Sequence, residues 1–139
     1  MEAKLKHLEF IQAVITRMAQ NSFLIKGWCV TLVSALYALA AKDANVSYVL
    51  VSYIAIPCFW ILDGFFIAVE RRYRKLYAEA AKKPAAETDF GLDASHYDKD
   101  DATWISGVFS KTLLVFYPFM VVIALVVMFA LPHITKDTP

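Results

Sequence analysis

Residues 46–69 read VSYVLVSYIAIPCFWILDGFFIAV and run without a break into ERRYRKLYAEAAKK at 70–83. The first stretch exceeds the ~20 predominantly apolar residues that a helix needs to cross a bilayer. Its one charged side chain is Asp63. The second stretch consists of strong helix formers with no breaker before Pro84, so the span is expected to continue into the cytoplasm as one helix. At ~1.5 Å per residue such a helix is roughly 55 Å long.

Working outward, the whole chain of 139 residues shares this character, with 59% hydrophobic and 19% charged residues. That apolar share lies above the range of ordinary soluble domains and predicts an all-α integral membrane protein forming a single domain. A first span is expected over 23–41, with Lys26 near an interface where its stem can snorkel. Ala38-Leu39-Ala40 has the small-x-small pattern of a signal cleavage site. The long preceding segment, with Glu2 and Glu9 and helical periodicity, favours a retained span. A third span is expected over 112–131, almost pure hydrocarbon apart from Pro118.

Upstream, residues 1–22 predict an amphipathic cytoplasmic helix, with Leu5, Leu8, Ile11, Ile15 and Met18 at spacings of three and four. Such a helix either lies in the headgroup plane or packs on another helix, and its polar face of mixed sign favours packing. Residues 84–111 form a cytoplasmic linker that carries Glu87, Asp89, Asp93, Asp98, Asp100 and Asp101. Net charge is +1, so electrostatics must be read from where the charges sit. With the N-terminus inside, twelve of the fourteen Lys and Arg residues are cytoplasmic, and only Lys42 and Lys136 lie outside. The positive-inside rule therefore predicts a cytoplasmic N-terminus and a C-terminus on the far side.

In this topology Lys26, Asp63 and Glu70 all fall in the cytoplasmic part of the bilayer, where they are expected to couple the helices. A carboxylate inside a membrane needs a partner, so Asp63 pairs with Lys26, lines a wet cavity or bonds a neighbouring subunit. Glu70 and Arg74 also have the i, i+4 spacing of a helical ion pair. Gly27, Thr31, Ser34, Ala35 and Ala38 form a small-residue face suited to close helix packing or to lining a pore in an oligomer. Arg71, Arg72, Arg74, Lys75, Lys82 and Lys83 are either a topology signal or a surface for anionic lipid, nucleotide or nucleic acid.

Catalysis finds no support in the sequence. His7, His96 and His133 are scattered, Cys29 and Cys58 lie in apolar stretches, and no phosphate-binding glycine loop or calcium loop is present. The expectation is a non-enzyme without cofactor or metal.

Leu8-Glu9-Phe10-Ile11-Gln12, Asn21-Ser22-Phe23, Lys26-Gly27-Trp28, Phe59-Trp60, Leu62-Asp63-Gly64 and Glu70-Arg71-x-Tyr73-Arg74-x-Leu76-Tyr77 together resemble a family of small bacterial membrane proteins. Phe109-Ser110-Lys111-Thr112 and Phe116-Tyr117 continue the match. That family resembles the channel-forming membrane effector of the Hailong anti-phage defence system. The resemblance implies a homo-oligomeric pore in the bacterial inner membrane, controlled by the oligonucleotide product of a cytoplasmic nucleotidyltransferase. A non-conducting anchor or sensor that recruits a cytoplasmic partner is the other expectation.

Overall fold

A computed structural model describes residues 1–43 and 45–136, with side chains described through His133 among the C-terminal residues. Position 137 and the side chain of Lys136, both of which bear on the expected orientation, lie outside what is described. Among the described residues there are four α-helices: α1 (Glu2–Asp43), α2 (Ser47–Lys82), α3 (Trp104–Val108) and α4 (Lys111–Lys136). The linker between α2 and α3 carries three single-turn 3-10 helices at Ala85–Glu87, Ser95–Tyr97 and Asp100–Ala102. No strand occurs among the described residues.

The amphipathic segment and the first span, expected as separate elements, are one helix of 42 residues. The physical reason is the absence of any proline or glycine before Gly27, so nothing interrupts the backbone ladder at 22/23. Residues 70–82 likewise continue the second span. That helix stops where Lys83 turns extended, at φ −70° and ψ 144°, as the residue before Pro84 must.

α1, ending at Asp43, and α2, beginning at Ser47, form an antiparallel hairpin. Ala40 packs with Val49 near the turn, Lys26 meets Asp63 midway, and Ile11 packs with Ala80 at the far end. The packed face of α1 runs along its whole length through His7, Ile11, Ile15, Ser22, Cys29, Val33 and Ala40. Leu5, expected on the apolar stripe, is exposed.

Half of this hairpin is apolar and half polar. In the apolar half, α4 packs against both partners, placing Leu113, Tyr117, Met120 and Ala124 against Cys29, Val33 and Ile56. In the polar half, the linker returns along α2 instead. The two are joined by α3, which lies on α2 at a close backbone approach: a Cβ on Gly107 would stand 2.2 Å from the Gly64 carbonyl oxygen. Trp60 Nε1 donates to the Val108 carbonyl at 2.8 Å, and Trp104 Nε1 donates to the Ile61 carbonyl at 2.9 Å, tying both sides of this crossing.

α1, α2 and α4 are each long and apolar enough to cross a membrane. Their outward faces are also apolar, with Trp28, Ile54, Val115 and Phe129 all largely exposed. Water would oppose such a surface, whereas hydrocarbon does not. The fold is that of a multi-pass helical membrane protein.

Candidate functional site: a charged junction of three spans

At the border between the two halves, Asp63 is fully buried. Lys26 Nζ donates to Asp63 Oδ2 at 2.6 Å and to Ser22 Oγ at 2.8 Å. Ser22 Oγ donates to Asp63 Oδ1, and Tyr117 Oη donates to Asp63 Oδ2 at 2.9 Å. One carboxylate on α2 thus accepts from two side chains of α1 and one of α4. Ser22 and Lys26 reach it together because they are one helical turn apart. Tyr117 is held by Trp60, whose ring stacks on it at 5.8 Å with the planes 5° apart.

This arrangement meets the cost of burying a charge, since three donors, one of them a cation, replace the water that Asp63 loses on folding. Such a pair contributes little net stability over an apolar substitute, but it defines which faces of the helices meet. An apolar contact tolerates rotation of a helix by a turn's fraction. Three hydrogen bonds to one carboxylate do not.

Glu70 does not join this junction. It accepts from Arg74 at 2.7 Å and 3.0 Å within α2, two turns beyond Asp63. Sequence reasoning missed Ser22 and Tyr117. The requirement that an intramembrane carboxylate be satisfied pointed to further donors, but a serine and a tyrosine carry no distinguishing pattern of their own.

Gly27, Thr31, Ser34, Ala35 and Ala38 are exposed and lie outside the packed face of α1 among the described residues. A Cβ on Gly27 would meet nothing within 4 Å. They share α1 with the packed residues Cys29 and Val33 but lie on its other side, beside Trp28 and Leu32.

The basic run on α2 is largely engaged by the chain's own linker. Arg71 donates to the Asp101 carbonyl at 2.7 Å, and Arg72 donates to the Ala102 carbonyl and to Asp98 Oδ1, each at 2.9 Å. Lys75 pairs with Asp101 at 2.9 Å, Lys83 stands 3.9 Å from Asp89, and Lys82 has no ion pair among the described residues. A hydrogen bond from Lys75 keeps the Asp101 carboxyl below its ordinary value.

Where the linker crosses both long helices it leaves a polar cleft of about 320 Å³, lined by residues including His7, Glu79, Lys83, Asp89, His96 and Tyr97. His7 Nε2 donates to the Gly91 carbonyl at 2.8 Å, an acceptor that fixes the proton on that nitrogen. Tyr97 donates to Glu79, and burial together with that carboxylate pushes the phenol up to about 12. No cluster suited to a metal ion is present among the described residues.

Comparison with family models, with curated proteins and with solved structures gives no match to the chain.

Proposed function

We propose that the chain is the subunit of a homo-oligomeric pore or membrane-disrupting effector of the bacterial inner membrane, gated from the cytoplasmic side. The observation that carries this reading is the division of α1 into two faces. One face is locked to α2 and α4 by the Asp63 junction, while the face of Gly27, Thr31, Ser34, Ala35 and Ala38 is exposed, with no partner helix among the described residues. Small residues let helix backbones approach closely in a bilayer, where van der Waals packing is the main source of association. Three helices enclose no aqueous path, so conduction requires several copies, and this face is the mildly polar surface available to meet a neighbour or line the path.

In this reading the polar half of the hairpin is the cytoplasmic amphipathic segment and the cytoplasmic extension of the second span. The orientation rests on the positive-inside rule. Thiols introduced at positions 43 and 137 should react from outside, and reaction from the cytoplasmic side alone overturns it. The resemblance to the Hailong effector supports anti-phage defence, with a nucleotidyltransferase or its oligonucleotide as the controlling partner.

Conductance is the direct test. Purified protein in liposomes should release ions, and overexpression should arrest growth. Asp63→Ala should change oligomer size or growth arrest, and indistinguishable behaviour in both removes the junction from the mechanism.

The second reading, a non-conducting anchor or sensor, is supported by the polar half. There the linker builds a folded head with its own cleft, and Arg71, Arg72 and Lys75 are spent on holding it. Liposomes that retain their ions, with a soluble partner bound to the head, would favour this reading.

A further inference from the structure

A second cavity, distinct from the polar cleft, lies between Lys26 of α1 and the first turns of α4. It is an open groove of about 520 Å³ lined by Lys26, Lys111, Thr112, Val115, Phe116 and Phe119. Its walls are apolar, and its two cations lie at the end where α4 begins. A groove with this distribution fits an amphiphile with a hydrocarbon tail and an anionic head. We propose that it is a binding site for one anionic glycerophospholipid, with an acyl chain along Val115, Phe116 and Phe119 and the phosphate at Lys26 and Lys111.

Charge complementarity favours this occupant over a zwitterionic lipid. Lys26 spends two of its three N–H donors on Asp63 and Ser22, and the third has no acceptor among the described residues. Its charge is balanced by Asp63, so Lys26 contributes a directed donor and not a net positive field. Lys111 supplies the field, since it forms no ion pair among the described residues. The first turn of α4, at Lys111 and Thr112, adds the positive end of a helix dipole. Both cations belong to the border level of the fold, beside the Asp63 junction, which is where headgroups lie if the apolar half spans the bilayer.

This site is independent of the pore reading and rests on the membrane placement of the three helices. It also touches the junction directly: a headgroup at Lys26 would sense the same ammonium that Asp63 holds. Lipid composition would therefore bear on how firmly α1 and α4 are joined.

Native mass spectrometry of the detergent-solubilised full chain tests the proposal, with dioleoylphosphatidylglycerol and dioleoylphosphatidylcholine titrated in competition. One lysine near an anionic headgroup is worth about a five-fold preference. The wild type should thus retain one phosphatidylglycerol about five-fold more readily than phosphatidylcholine. Lys111→Gln should bring the two near parity, and Val115→Trp should reduce retention of both by filling the groove. Glycerol phosphate, which carries the head without the tail, should not compete at equal concentration.

Equal retention of the two lipids by the wild type, or an unchanged preference in Lys111→Gln, overturns the proposal. Competition by glycerol phosphate also overturns it, because the ligand would then be a free phosphate. A lipid-free dimer that loses its contact in Val115→Trp would assign the groove to a second copy and overturn it as well.

Discussion

Where the apolar half of the hairpin begins, a single buried carboxylate draws donors from two other helices. In the polar half, Asp98 and Asp101 hold Arg72 and Lys75 with their own side chains more than half exposed. Both regions attach a third segment through a carboxylate, α4 by the Tyr117 hydroxyl on the ion-paired Asp63 and the linker by its own acids on α2 cations. The difference is the medium. Water competes for Asp98 and Asp101, so each pair contributes about 0–1 kcal/mol. At Asp63 no water competes, so removing either side of the contact leaves a stranded charge.

The comparison predicts its largest effect at Asp63. Asp63→Ala leaves Lys26 unpaired and is expected to cost about 3–5 kcal/mol, read as a lowered unfolding midpoint in detergent. The double variant Lys26→Met with Asp63→Leu should recover most of that loss. If Asp63→Ala is tolerated as well as Asp101→Ala, the contrast between the halves fails.

The crossing that separates the halves comes next. Gly107→Ala drives a methyl group into the Gly64 carbonyl, and Gly64→Ala meets Val108 Cα at 2.8 Å. Each should cost roughly 1–3 kcal/mol by overpacking. The indoles of Trp60 and Trp104 report on it, because both bond across this crossing, and a red shift in tryptophan emission should accompany the loss. An unshifted spectrum with unchanged stability would show that α3 moves aside freely.

A smaller effect is expected at Asp101, and it depends on pH. Lys75 holds this carboxyl below its ordinary value of 3.8, so its contribution is present above that pH and is lost as pH falls through the lower folded value. Its exposure limits the amount to about 1 kcal/mol after solvent screening. Asp101→Asn should therefore unfold slightly earlier than wild type at pH 6, and the gap should close towards pH 3. A gap that persists or widens in acid would place the effect outside this ion pair.

The smallest effect belongs to Glu70. Its partner Arg74 is one turn away on the same helix and largely exposed, so Glu70→Gln should change stability by only about 0.3–0.5 kcal/mol. A loss comparable with that of Asp63→Ala would return Glu70 to the coupling of the spans.

Much of this architecture was legible before any coordinates. Three apolar runs of spanning length mark three helices because hydrocarbon offers no partner for an unpaired backbone amide. The short connection between the spans at 23–41 and 46–69, and the opposite ends at which Lys26 and Asp63 enter them, put those two residues on a common level. Nothing local, however, distinguishes Ser22 from the other serines of the chain, and Tyr117 lies 54 residues from the carboxylate that it bonds. Its arrival depends on how α4 rotates against Trp60 and Cys29, which only packing decides.

The basic run 71–83 shows the same division from the other side. Its charge left open a topology signal or a surface for anions, and its helical form followed from its composition. That the chain's own acids engage much of it could not be read from spacing, because the linker has no periodicity and its path depends on contacts such as Tyr73 with Leu92 and Tyr97 with Glu79. The continuous α1 was foreseeable in part, since no breaker separates residue 22 from residue 23. The sequence by itself determined the number, length and level of the spans, because those depend on local hydropathy and helix propensity. The tertiary structure alone decided which side chains complete the Asp63 junction and which face of α1 is left uncovered, because helix rotation is fixed by packing among segments far apart in the chain.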